Sequence, residues 1–168
     1  MIMINKYKIT IKHNPKKKYL FLDIDGVLNS FDDYKMSGKS FLKNLNNISF
    51  ILSGKQMKLL NQIVEKYNPT IILSSYWRTR YSLDEINKLF RERGFIGEIT
   101  DKTDEIGEEH KQRWNQIKRY IKEHDVKNFI ILDDEKISEN ETCPNFVKTN
   151  SYKGLKKNHL KEIENIWS

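Results

Sequence analysis

The chain contains a single cysteine, Cys143, so no disulfide can form within it. A lone thiol fits a reducing, cytoplasmic setting. No residues of catalytic type surround Cys143, and it reads as structural. Long apolar runs are missing as well: nothing approaches the roughly 18 consecutive residues of a membrane span, so a membrane partner is not expected. The opening Met1-Ile2-Met3-Ile4 is too short for the apolar core of a secretion signal and runs straight into lysines. Repeats, low-complexity tracts and interdomain linkers are absent, so residues 1–168 read as one domain able to bury a substantial core. Arginine is scarce, occurring only at positions 78, 80, 91, 93, 113 and 119, so lysine carries most of the net charge of +7. That charge supports a polyanionic partner. Abundant asparagine and isoleucine point to an A+T-rich coding bias, under which surface lysine would accumulate with no selection for binding.

What is present is concentrated at the ends of apolar runs. Tyr19-Leu20-Phe21-Leu22 leads directly into Asp23-Ile24-Asp25-Gly26-Val27-Leu28. Four apolar residues followed by two carboxylates read as a buried strand ending in a polar crevice, where ligands of open α/β sheets bind. Gly26 lets the chain turn sharply away, and side chains i and i+2 of an extended D-x-D point to the same side. Carboxylates held that close are costly unless a cation lies between them or one is protonated. Mg²⁺, a hard cation bound by oxygen, is the natural occupant. D-x-D-G also occurs in calcium loops and ordinary turns, so further features must decide.

Phe129-Ile130-Ile131-Leu132 repeats the pattern and ends in Asp133-Asp134. On neighbouring parallel strands, Asp23, Asp25 and Asp133 or Asp134 would converge, although Asp134 also suits a turn capping a helix. Thr70-Ile71-Ile72-Leu73 runs into Ser74-Ser75-Tyr76-Trp77-Arg78. Ser74 offers a hydroxyl, the following turn offers N–H groups, and Arg78 a guanidinium, all donors that a phosphate accepts. Ser-Ser after a strand is also a common turn.

Taken in order, these segments resemble the motifs of the haloacid dehalogenase (HAD) superfamily of phosphohydrolases. Leu20–Val27 resembles its first motif, Ile71–Ser74 its second and Ile130–Asp134 its fourth, over residues 18 to about 160. The third, a basic residue before the fourth strand, matches loosely: Arg113 or Lys111, at the start of a helix over 109–124, fills it. Ser74-Ser75-x-Trp77-Arg78, the arginine-opened helix and Gly154-Leu155 are similar to the small HAD domains associated with RNA-repair proteins. The resemblance implies a strand order 5-4-1-2-3 and a set of roles. Asp23 is the nucleophile, and Asp25 the acid and base. Mg²⁺ is held by Asp23, the backbone carbonyl of Asp25 and Asp133, with Asp134 in support. Ser74 and Arg113 or Lys111 bind the phosphoryl oxygens.

The rest of the chain agrees with an α/β, doubly wound, Rossmann-like parallel sheet of five strands. An edge strand is expected over 4–12 within an N-terminal extension, 1–17, and Asn14-Pro15 forms a turn. Ser53 caps a helix over 54–67, Ser82 opens one that Gly94 stops, and a last helix runs over 155–167. Phe95–Ile99 is expected to form the third strand and 145–148 the fifth. Residues 27–52 lack a clean period and read as a flap, too short for a large cap, leaving an essentially capless, open site. These readings predict a Mg²⁺-dependent phosphomonoesterase acting on nucleic-acid ends or nucleotides. The alternatives are a phosphatase of small metabolites or proteins, and a noncatalytic basic nucleic-acid-binding domain.

Overall fold

A computed structural model describes residues 17–33, 52–105, 113–136 and 143–168. The expected edge strand over 4–12, the Asn14-Pro15 turn, most of the 27–52 flap and Lys111 lie outside the described residues. Five strands, β1 (Lys18–Leu22), β2 (Thr70–Leu73), β3 (Ile99–Lys102), β4 (Asn128–Asp133) and β5 (Phe146–Lys148), form one sheet in the order β3-β2-β1-β4-β5. Every pairing is parallel. Among the described residues, the α-helices α1 (Gly54–Tyr67), α2 (Leu83–Glu92), α3 (Arg113–Glu123) and α4 (Lys157–Trp167) accompany them, with a 3-10 turn over Tyr76–Thr79.

Alternation along the strands sorts the core into two layers. Leu20, Leu22, Ile71, Leu73, Ile130, Leu132 and Val147 pack against Met57, Leu60 and Ile63 of α1, Ile86 and Phe90 of α2, and Ile163 and Trp167 of α4. Phe21, Ile72 and Ile131 face the other way, onto Ile117 and Tyr120 of α3. Both faces of the sheet are therefore covered, which is why its central strands are apolar throughout.

The chain builds outward from β1 through β2 to β3, then crosses back along α3 to β4. The direction of winding thus reverses between β1 and β4, and a crevice opens at the carboxyl ends there. Register sets the contents of that crevice. Leu22 is level with both Leu73 and Leu132. The ladder continues one step further through Asp23 N–H to Leu132 O (3.0 Å) and Ser74 N–H to Leu22 O (3.0 Å). Asp23, Ser74 and Asp133 consequently leave the sheet at one height.

Helix ends follow local chemistry. Ser82 and Glu85 form a reciprocal capping box at the start of α2. Gly94 (φ +78°) closes that helix, with Gly94 N–H to Arg91 O and Phe95 N–H to Phe90 O, a Schellman closure. Ser53 stands before α1 but its side chain makes no cap bond; its N–H reaches Leu28 O instead (2.8 Å).

The third strand is corrected to Ile99–Lys102. The apolar Phe95-Ile96 is not strand at all: Phe95 folds back onto Phe90, ring centroids 5.4 Å apart, and seals the end of α2. The polar edge strand that follows is held by Asn87, whose side chain bonds both N–H and C=O of Ile99.

Candidate active site

Asp23 is buried at the head of the central strand. Its Oδ2 accepts from Arg113 Nη1 at 3.0 Å, and its buried Oδ1 has no hydrogen-bond partner among the described residues. The same Arg113 nitrogen donates to Asp133 Oδ2 at 2.7 Å, while Asp133 Oδ1 accepts from the N–H of Glu135 (2.9 Å). Arg113 is the first residue of α3, so the helix that crosses the sheet delivers a guanidinium between two strand-end carboxylates. Asp134 joins them from above. One carboxylate oxygen from each of Asp23, Asp133 and Asp134 lies within 4.8 Å of the others.

Gly26 makes this convergence possible. Its φ of +71° turns the chain, and a β-carbon there would stand 2.2 Å from Asp134 Oδ2. Asp134 therefore lies directly over the glycine. Thr149, just past β5, donates to Gly26 O at 2.8 Å and fixes the turn from the other side.

Burial and mutual repulsion disfavour the charged forms of these acids. Burial, then the charge of Asp133, pushes the Asp23 carboxyl well above the usual carboxylate range, with Arg113 opposing. Burial also raises Asp133, again against Arg113. Burial and the Asp133 charge raise Asp134, while the Ser151 hydroxyl pulls it down. Burial works against the charge of Arg113, but Asp23 and Asp133 more than offset it and raise its pKa above the ordinary value. Three clustered hard-oxygen donors, one with an unmatched buried oxygen, fit a divalent cation such as Mg²⁺.

Asp25 plays a different part. It faces the same cavity of about 310 Å³, lined by Asp23, Asp25, Asn29, Phe31, Tyr76, Arg113 and Asp134 among others. Its carboxylate, however, is not in the three-acid cluster. Oδ1 accepts from Asn29 Nδ2 (2.8 Å) and Oδ2 from the indole N–H of Trp77 (2.9 Å). In this geometry both Asp25 carboxylate oxygens are engaged by Asn29 and Trp77, and the acidic cluster draws on Asp134 beside Asp23 and Asp133. Asn29 also receives the Gly26 N–H through Oδ1 (2.9 Å), so one amide braces both the turn and the acid.

Ser74 is fully buried at the height of Asp23, and its Oγ lacks a hydrogen-bond partner among the described residues. Arg78 does not reach the cavity. Its Nη1 donates to Ser74 O (2.9 Å) and Ser75 O (2.7 Å), Nε to Asp104 O (3.2 Å) and Nη2 to Gln116 Oε1 (2.5 Å). These four bonds turn the guanidinium inward, so that Arg78, expected from the sequence to bind phosphate, here props the Ser74-Ser75 turn from beneath. Trp77 is buried, yet it touches the site through its indole nitrogen.

Sequence reasoning did not assign Asn29, Tyr76 or Ser151 to the site. Asn29, a buried amide inside an apolar turn, was the one with a usable signal.

An open parallel sheet with acids at the heads of its first and fourth strands defines a HAD-type α/β domain. The chain belongs to the family of HAD domains in Swiss Army Knife RNA repair proteins, whose model matches residues 19–160. Neither a curated protein nor a solved structure matches it. Phosphoester hydrolysis is the chemistry that this family suggests, and the acidic cluster is one that could hold a metal ion.

Proposed function

We propose that this protein is a Mg²⁺-dependent phosphomonoesterase that works through an aspartyl-phosphate on Asp23 and acts on nucleic-acid ends. The observation that carries the reading is Asp23 itself: a buried carboxylate at the switch point, one oxygen held by Arg113 and the other unmatched.

In this reading an Asp23 oxygen attacks phosphorus, and the bond from phosphorus to the ester oxygen breaks. Asp25 gives its proton to that leaving oxygen. Water then attacks the phosphorylated Asp23, Asp25 takes back a proton, and inorganic phosphate leaves with the Asp23 carboxylate restored. Asp23, Asp133 and the backbone carbonyl of Asp25 would hold the metal, with Asp134 in support, and the ion supplies charge neutralisation between carboxylate and phosphate. Arg113 and Ser74 bind the phosphoryl oxygens as charge develops. Trp77 and Asn29 keep the Asp25 carboxylate turned toward the cavity. The short segment between β1 and α1 suits an open site, which admits a polymer end.

The test is phosphate release from 3′- and 5′-phosphorylated RNA and DNA oligonucleotides, nucleoside monophosphates and p-nitrophenyl phosphate, with Mg²⁺ or EDTA. Metal-dependent release from one class of polynucleotide end is the expected result. Activity confined to small phosphates would overturn the nucleic-acid assignment, and no release from any substrate would overturn the enzymatic one.

A further inference from the structure

Among the described residues, four large hydrophobic side chains are exposed: Phe31 (52%), Tyr76 (43%), Ile96 (57%) and Tyr152 (56%). Three of the four gather at one place. Phe31 and Tyr76 line the active-site cavity, and the Tyr152 ring lies 5.2 Å from that of Phe31. The Arg80 guanidinium stands 5.1 Å over the Tyr76 ring. Solvated aromatic rings clustered on the rim of a polar site mark a binding surface.

The loop that carries Tyr152 connects this rim to a second feature. Ser151 lines the active-site cavity. Phe31 N–H to Ser151 O (3.0 Å) and Asp32 N–H to Tyr152 O (3.1 Å) clip the loop to the residues after Asp25. Leu155 N–H to Val27 O (2.8 Å) clips it again beyond Gly154. At its far end Lys156 and Lys157 form, with Lys55, Lys58, Leu59, Gln62 and Asn158, a groove of about 720 Å³ between the starts of α1 and α4. Among the described residues, four lysines and no acidic residue line that groove. Lys156 is four positions on from Tyr152, so their α-carbons lie at most about 14 Å apart.

We propose that these features form one track for a single strand of nucleic acid, with an unpaired base near the reacting end stacked on Phe31 and Tyr152 and the sugar-phosphate backbone led into the lysine groove. The inference rests on the phosphatase reading for the position of the terminal phosphate and names the form of substrate that the site takes. An aromatic platform beside an acid-free basic groove matches the alternating faces of a single strand: every base has a stacking face, and every linkage has a phosphate. A duplex offers its bases only at its end, so the track selects single-stranded ends.

Binding is measured by fluorescence anisotropy in EDTA, so that no turnover intervenes, with labelled RNA and DNA single strands and the corresponding blunt duplexes. Tyr152→Ala and Phe31→Ala replace exposed side chains and leave the backbone clips in place. Each is expected to weaken single-strand binding about tenfold. Lys156→Gln combined with Lys157→Gln is expected to lower the slope of log K against log salt by about 1.4, two phosphates at about 0.7 each. Unchanged affinity in both aromatic variants, an unchanged slope in the lysine variant, or duplexes bound as tightly as single strands would overturn the track. A polyglutamate peptide that binds as tightly as the strands would overturn the choice of nucleic acid in favour of an acidic protein. If single strands bind as described but no phosphoester is cleaved, the track stands and the phosphatase reading falls. If p-nitrophenyl phosphate is cleaved with Mg²⁺ while the variants bind strands as wild type does, the chemistry stands and the track falls.

Discussion

The indole N–H of Trp77 donates to Asp25 Oδ2 at 2.9 Å, from a side chain that is otherwise buried in the core. With Asn29 on the other oxygen, the carboxylate is held by both ends. Trp77→Phe keeps a large ring and removes the donor. It should lower kcat about tenfold, the scale of one buried hydrogen bond, with little change in KM. Steady-state kinetics on two substrates check this. The loss should be smaller for p-nitrophenyl phosphate than for an alkyl phosphate, because a good leaving group needs less help from Asp25. Equal losses on both would count against the positioning role.

Asp23→Asn and Asp25→Asn separate the two acids. Asp23→Asn should abolish turnover while the metal-free protein is at least as stable as wild type, because the substitution removes a buried charge facing Asp133. Substantial remaining activity would sink the nucleophile assignment. Asp25→Asn should be crippled most on poor leaving groups. Single-turnover assays with trapping of phosphorylated protein distinguish the variants.

Adding Mg²⁺ to the wild-type protein should raise its melting temperature, because a ligand that binds only the folded state stabilises it by mass action. Asp133→Asn, and to a lesser degree Asp134→Asn, should shrink that rise. Differential scanning fluorimetry with and without EDTA reads this directly and needs no substrate. A full shift in the Asp133→Asn protein would remove that carboxylate from the ion-binding set.

Arg78 serves as a buried strut. Arg78→Lys cannot satisfy the separate acceptors on Ser74, Ser75, Asp104 and Gln116. It should cost on the order of 3 kcal/mol of stability, measured by urea denaturation. A variant of normal stability whose KM alone rises would restore Arg78 to the substrate.

The apolar strands and the acids that head them were legible in the sequence, while their order in the sheet followed only from the family resemblance. Four-residue apolar runs ending in Asp or Ser have few uses outside a buried parallel strand, and register then does the rest. Roles set by orientation were not legible. Ser-Ser-x-Trp-Arg reads equally well with its arginine aimed at a phosphate or at its own backbone, and only the packing of α3 through Gln116 decides. Phe95-Ile96 misled because an apolar pair that seals a helix end has the same composition as a short strand. The aromatic rim was hidden for a related reason: Phe31 and Tyr152 lie at opposite ends of the chain and meet only because the loop after β5 is clipped beside the turn after β1.

His159 lies buried in the first turn of α4, where its Nδ1 accepts the Lys156 N–H at 3.0 Å. Burial, the first cause, lowers its pKa below the ordinary value. The unfolded chain therefore binds this proton more readily than the folded one. The stability contribution is complete above the unfolded pKa of about 6.5 and is lost as pH falls through it toward the lower folded value. His159→Gln should flatten the decline in urea midpoint between neutral and mildly acidic pH. An identical decline in both proteins would refute the assignment.

Asp134 resting on Gly26 ties together two stretches of sequence that arrive at the site by separate routes. Whatever freedom the first loop has to vary is decided by a side chain from the far part of the chain, and a change at either position is read at the other. The glycine is thus half of a lock. A larger residue at 26 would displace the carboxylate of Asp134, and with it one of the three members of the acidic cluster.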